Sequence, residues 1–462
     1  MRIAVIGRGA IGLTCAYELS KRGDADVTVF GSSNNSYTAS RAAGAMLNIV
    51  SEIDTFNASH PLTHWKLANK SLVLKLWENL MDRLVVDDRA ITKSLLFGRG
   101  TQILINSKTH NKVELSSYDA MKDIHAKYCR ADVNGSDIID SSNGKEGFLI
   151  EDEQSVDSQA FLEALESHIR IFSSSVDSDV LRIIKNDHAW TLEASNGNFY
   201  DYDYVLLCAG SWSESIINRS PCLKSPSRRS YFGVGSALLV SSELEYVVQP
   251  TFDRILRTPN RGGTCGIHSV QRQDSLYVGA SSVVTNKQLK AARASSINAL
   301  VEGLRDDLGV DIYQLSSQVI TGYRPVTDDA VPVIGELDSG LFCCYGTKRD
   351  GFTWAPLYAK NIANTIFDPS NLSDQWKELL DQCSPYRGYT SAGDPSICIE
   401  NYVVNKIFES HQHRKELGGA EVDHLYSIAR EVHLYAERVE GVKVGVQPEL
   451  VNMIYYVVMG MK

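Results

Sequence analysis

No stretch of the chain holds the ~18 consecutive apolar residues that a membrane span requires, so no bilayer-crossing segment is expected. Positive charge is also short. The balance is 46 basic against 56 acidic residues, a net −10. A partner held through nucleic-acid phosphates wants a basic face, so none is expected. Cysteines are present but unorganised: Cys15, Cys129, Cys208, Cys222, Cys265, Cys343, Cys344, Cys383 and Cys398 form no CxxC. The adjacent pair Cys343 and Cys344 suits neither a disulfide nor a zinc site. These thiols read as small buried hydrophobes in a reducing compartment. Histidines 411, 413, 424 and 433 lack HxxxH spacing and a cysteine partner, so they read as solvated side chains and no metal is expected. The first strand begins almost at Met1 with no leader before it, which points to the cytoplasm.

What is present starts at the N-terminus. Ile3 to Ile6 is a continuous apolar run, as in a parallel strand covered on both faces. It leads into Gly7-Arg8-Gly9-Ala10-Ile11-Gly12 and then a helix. Gly7 permits the tight turn, Gly9 lets backbone approach a pyrophosphate, and Gly12 lets helix and strand pack closely. The helix start offers free N–H groups and a positive dipole end to phosphate. Val27 to Phe30 reads as the second strand. A carboxylate usually ends that strand and grips the adenosine ribose. Here the place holds Gly31, followed by Ser32, Ser33, Asn34 and Asn35. Either these hydroxyls and amides hold the ribose, or dinucleotide affinity is reduced.

The length implies two or three structural units, and 43% hydrophobic residues can bury a sizeable core. Thr38 to Leu47 is dense in small residues and suits backbone lying against a ligand, with Ser40 and Arg41 offering a hydroxyl and a charge to phosphate. Trp65, Leu72, Val73, Leu76, Trp77, Leu80 and Leu84 recur at helical spacing over 60–84. The polar stretch 130–147 reads as a boundary where an inserted lobe returns to the nucleotide unit. A helix is expected over 158–169, a strand over 177–184, a hairpin over 190–200, and an apolar strand over 204–208 that ends in Ala209, Gly210 and Trp212. From 231 to about 317 the pattern turns to strands, with a helix over 286–306. Gly322-Tyr323-Arg324-Pro325 follows, then a strand at 341–345 and a glycine turn, Gly346 to Gly351, opening another helix. Past Pro369 three helices are expected, at about 397–416, 420–440 and 448–460.

These motifs, in this order, resemble the D-amino-acid oxidase superfamily of FAD-dependent oxidoreductases, and within it the glycine/sarcosine oxidase branch. The similarity spans roughly residues 1–367. It implies an α/β (α+β) two-lobed flavoprotein, with a Rossmann-like FAD-binding lobe, an antiparallel-sheet substrate lobe, and C-terminal helices in addition. Residues 1–56, 150–225 and 320–367 would form the FAD-binding domain. Residues 57–149 and 226–319 would form the substrate domain, and 370–462 a helical extension. The resemblance implies oxidation of the C–N bond of a small amine or amino acid: hydride transfer to flavin N5, hydrolysis of the imine, and reoxidation by O2 to H2O2. It places Gly7, Gly9, Ala10, Ile11, Gly12, Ser32, Ser40, Arg41, Ala43, Gly44, Met46, Val180, Cys208, Ala209, Gly210, Trp212, Arg324, Gly346, Lys348, Arg349, Asp350, Gly351, Phe352 and Thr353 with the cofactor.

By the same resemblance Arg324 clamps the substrate carboxylate, and Arg349 either assists it or lies along the flavin, with Lys348 a competing cation. A bidentate guanidinium on a carboxylate would supply the orientation that hydride transfer needs. His268 takes the place where some glycine oxidases carry a tyrosine; it is a polar site candidate or an ordinary strand histidine. No covalent attachment signature is evident, and Cys343 and Cys344 lie in an apolar strand, so noncovalent FAD is expected. The extension reads as a dimerisation arm, a lid or a docking module. An oxidase using O2 is favoured. A dehydrogenase passing electrons to a carrier, an enzyme acting on a carrier-bound amine, and a flavin scaffold without turnover remain alternatives.

Overall fold

The computed structural model describes residues 1–35, 37–87, 95–106, 112–128, 145–187, 189–243, 247, 251–260, 265–310, 312–412, 415–458 and 460. Most of the expected 130–147 boundary lies outside them, as do Cys129 and His413.

The chain opens with β1 (Arg2–Ile6), α1 (Ala10–Ser20) and β2 (Asp26–Phe30). Both strands bury four consecutive residues after an exposed first one, so they lie covered on both faces. The turn between β1 and α1 depends on two glycines. Gly7 has φ +126°, and a Cβ there would lie 2.2 Å from the Cys208 carbonyl oxygen. A Cβ on Gly12 would lie 2.2 Å from the oxygen of Gly7, so helix and turn could not close. The six-stranded sheet runs Val333–Asp338, Leu341–Tyr345, Tyr204–Leu207, β1, β2, Ser174–Val176. All neighbours are parallel except the Val333–Asp338 edge strand. Helices Ser158–Phe172 and Gly351–Phe367 pack on α1, and Trp77, Phe161, Trp354 and Trp376 fill the core beneath them. Asp157 caps the first of these helices by accepting from the N–H groups of Gln159 and Ala160, both at 3.1 Å.

A second, eight-stranded sheet stands over the C-terminal end of the first. Its axis is the pair Ser230–Ser241 and Ser316–Thr327, antiparallel over twelve residues. Beyond Ser230–Ser241 follow Leu276–Gly279, His268–Gln271, Ile255–Arg257, Thr101–Asn106 and Lys145–Ile150. Alternation along paired strands fixes which side chains share a face. Gly233 pairs with Arg324, Leu239 with Tyr277, and His268 with both Gly279 and Arg257. Arg324, Gly235, Tyr277, His268 and Arg257 therefore stand in a row on one face.

The helices of the extension are Pro395–Gln412, Gly419–Glu440 and Pro448–Met453, the last continued by a π-helical turn, Ile454–Val458. They pack against the eight-stranded sheet. Val403, Ile428, Val432, Val446 and Leu450 share a core with Tyr231, Val284 and Val326. Each such side chain contributes about 1.5–3 kcal/mol by leaving water. Ion pairs add to the seam: Arg387–Asp329 at 2.8 Å, with the carboxylate fully buried, and Arg228–Glu440 at 2.9 Å. His433 corrects the sequence expectation of solvated histidines. It is buried, its Nε2 accepts from Val446 N–H at 3.0 Å, and its Nδ1 lies 2.8 Å from the Ala429 carbonyl oxygen. No metal-binding cluster occurs among the described residues, and no helix among them is long and apolar enough to cross a membrane.

Candidate active site

A cavity of about 830 Å³ runs from the start of α1, between the two sheets, to the Arg324 face. Its two ends are built differently.

At the α1 end the wall is mostly backbone and small side chains. Gly7, Gly9, Ala10, Ile11, Ser32, Ser40, Val180, Cys208, Ala209 and Gly210 line it; Ala43 and Trp212 also line the cavity, and Gly44 and Met46 do so next to Tyr277 of the sheet face. Gly9 leads the helix with no side-chain cap, and the first turn carries no acid, so the positive helix end faces the cavity. Ser40 Oγ accepts from Ala10 N–H at 2.9 Å, and a Cβ on Gly9 would stand only 3.0 Å from that Oγ. Arg41 does not reach the cavity wall. Its guanidinium turns to Glu166 at 3.1 Å, and Arg8 approaches the same carboxylate at 3.5 Å. Gly12 packs behind the turn rather than lining the cavity. A carboxylate does stand near Gly31, from the loop between the strands Ser174–Val176 and Val180–Lys185. Asp179 lines the cavity, and its Oδ1 accepts from Ser32 N–H at 3.1 Å.

At the far end the wall is charged. Arg324, His268, Tyr277, Cys265, Glu52, Lys348 and Arg349 meet there, with Gly351 and Phe352 beside them. Gly233 and Gly235 leave a trough for Arg324, since a Cβ on Gly235 would lie 2.4 Å from its Nη2. That guanidinium donates to the Ser281 carbonyl oxygen and has no carboxylate partner among the described residues. The neighbouring cations are paired. Arg257, fully buried, meets Glu52 at 2.9 Å; Arg349 meets Glu52 at 3.4 Å and Glu449 at 3.9 Å; Lys348 pairs with Glu449. Burial alone would raise the Glu52 carboxyl, but Arg257 and Arg349 outweigh it and hold it at about 2. Burial likewise acts upward on the Cys265 thiol, yet Arg349, a hydrogen bond with His268, and Arg257 bring it down to about 6. Tyr277 lies 5.8 Å from the His268 ring, nearly parallel, and donates to the Ala42 carbonyl oxygen at 3.1 Å. Burial, opposed by Arg324, pushes its phenol up to about 12.

Three expected cofactor residues stand off this wall. Gly346 supplies the turn with φ +75°. Asp350 pairs with Lys66. Thr353 is buried, with its hydroxyl 3.3 Å from the carbonyl oxygens of both Met46 and Asn48.

Fold and cavity together define a two-lobed dinucleotide-binding protein with a charged sheet face across the cleft. The sequence matches the family described as FAD dependent oxidoreductase (DAO) over residues 2–365, and the chain belongs to that family. It is 23% identical to glycine oxidase of Geobacillus kaustophilus (strain HTA426) over 387 residues, which is 79% of this chain and 92% of that one. The crystal structure of Geobacillus kaustophilus glycine oxidase superposes with a TM-score of 0.66 at 20% identity, covering 84% of this chain and all of the other. Iminodiacetate oxidase from Chelativorans sp. BNC1 gives 0.64 at 17% identity, covering 84% and 99%. L-alpha-glycerophosphate oxidase from Mycoplasma pneumoniae, solved with FAD bound, gives 0.60 at 15% identity, covering 79% and 94%. The protein is thus an FAD-dependent oxidoreductase. The glycine-rich turn, the α1 start without a side-chain cap of its own and the volume of the cavity all fit FAD.

Proposed function

We propose that this chain oxidises the C–N bond of a small amino acid or amine that carries a carboxylate, with O2 as the acceptor. The observation that carries this is Arg324: a cation on the sheet face of the cofactor cavity, set in a glycine trough, with its neighbours Lys348 and Arg349 already engaged by carboxylates. Relatives named for glycine and iminodiacetate oxidation, both α-amino carboxylates, support the substrate class.

FAD, held without a covalent bond along α1 and the Gly346–Gly351 turn, supplies a two-electron acceptor at the cleft. In our reading Asp179 and Ser32 hold its ribose in place of the usual carboxylate. Arg324 grips the substrate carboxylate bidentately and fixes which hydrogen faces the cofactor. His268 and Tyr277 wall the site and keep the substrate carbon in place. Cys265 Sγ, whose thiolate form is favoured by Arg349 and His268, adds negative charge beside Arg349. The eight-stranded sheet is the substrate lobe, and the six-stranded sheet the FAD lobe.

The test is an anaerobic screen of amino acids and N-methyl amines for bleaching of the flavin, followed by air. Bleaching by a carboxylated amine, with H2O2 on reoxidation, is expected. Bleaching only by amines without a carboxylate would defeat the substrate class. Turnover with an artificial acceptor and no H2O2 would make the protein a dehydrogenase.

A further inference from the structure

We propose that the extension supplies a specificity-determining residue, Glu449, which occupies the cations of the Gly346–Gly351 turn and restricts the site to substrates with a single anionic group. This deepens the reading above and rests on it. The family match ends at residue 365, so Glu449 lies in a part of the chain that the match does not reach.

Glu449 sits in the first turn of the helix Pro448–Met453, with its side chain 4% exposed. Its carboxylate pairs with Lys348 and lies 3.9 Å from Arg349. Gln447, two residues earlier, accepts from Lys348 Nζ at 3.1 Å. Lys348 holds φ +52°, and its N–H donates to the Pro325 carbonyl oxygen at 2.9 Å, which ties the turn to the residue after Arg324. Val457, a few residues on, reaches the cavity wall itself. The carboxylate arrives on a fixed support, since Arg387–Asp329, Arg228–Glu440 and the His433 clip hold the extension independently.

The consequence is a matter of charge. Arg324 is open to one anionic group. A second group on the same ligand would find Lys348 turned to Glu449 and Arg349 shared between Glu52 and Glu449, and would have to displace a buried carboxylate or lie against it. Discrimination of this kind works by repelling the wrong ligand rather than by holding the right one more tightly.

The test uses FAD-loaded full-length protein at fixed ionic strength and two probes that are not oxidised, acetate and malonate, read by perturbation of the flavin spectrum. Wild type is expected to bind acetate at least about tenfold more tightly than malonate. In Glu449→Gln that ratio should fall about tenfold, equivalent to about 1.4 kcal/mol, and Glu449→Asp should restore it. Malonate binding as well as acetate in wild type, or a ratio unmoved in Glu449→Gln, would overturn the proposal. Should Glu449→Gln fail to load FAD, Lys348→Gln decides: losing the cation should raise the ratio further, and a lowered ratio would refute the role given to Glu449. If acetate does not bind wild type and no carboxylated amine bleaches the flavin, the oxidase reading fails and this inference with it. If acetate binds and only the ratio fails to respond, Glu449 alone is misassigned.

Discussion

The two ends of the cavity solve opposite problems with opposite materials. At the α1 end the wall is backbone: Gly7, Gly9, an uncapped helix start and the Ser40 hydroxyl, while Arg8 and Arg41 turn to Glu166. At the sheet end the wall is side chains, with Arg324 held open and Arg257, Arg349 and Lys348 balanced by Glu52 and Glu449. Oriented N–H groups suit a cofactor that stays in place. Movable charge suits a ligand that must arrive, be oriented and leave. Substitutions at the first end should therefore strike folding and cofactor together, and those at the second should strike ligand binding with the cofactor retained.

The sharpest break is Gly7→Ala. A methyl at φ +126°, 2.2 Å from a carbonyl oxygen, should cost about 3 kcal/mol or more. The expected product is apo or insoluble, seen as loss of flavin absorbance; a yellow, folded variant would contradict the backbone account.

Next comes the seam where charge carries the extension. Burial and the neighbouring Asp329 raise the Asp328 carboxyl to about 7. A raised carboxyl binds its proton better in the folded state than in the unfolded chain, so stability is lost as pH rises from about 4 to about 7 and is level above. Asp328→Asn should remove roughly 2 kcal/mol of that loss. Thermal melts of both proteins across pH 4–8 should converge at the acid end and separate near pH 7. Parallel curves would refute it.

Arg324→Ala should raise KM for the carboxylated amine about 10–100-fold, the value of a charge-assisted pair. The flavin should stay bound. Smallest is Asp179→Asn, expected to weaken FAD about tenfold in a titration of apoprotein without touching amine KM. The reverse pattern, KM moved and FAD unmoved, would erase the division between the ends.

The same contrast explains what could be read from the chain alone. The turn at the α1 end was legible because β1, α1 and β2 lie within the first thirty residues and act through local geometry, which glycines announce. The sheet face was legible only in Arg324 and His268. Tyr277 escaped because its face depends on the register of its strand against both Val270 and the distant Leu239. Gly233 and Gly235, opposite Arg324, were the available signal for its trough. Asp179 escaped because it reaches Ser32 from a loop 147 residues away in sequence. Arg41 was assigned to phosphate because nothing local revealed Glu166. Helical spacing over 60–84 was right in period, but the structure breaks it at Asn69, whose side chain donates to the Trp65 carbonyl oxygen. The helix expected over 286–306 is Ala294–Asp306, and the helices Lys112–Tyr128 and Asp374–Gln382 went unread.

One titration bears most directly on the charged face. Acetate added to FAD-loaded wild type should perturb the flavin spectrum saturably, and in Arg324→Ala the perturbation should vanish while the FAD remains bound. An equal perturbation in both proteins, or loss of the FAD from the variant, would contradict the assignment of Arg324 as the carboxylate-binding cation.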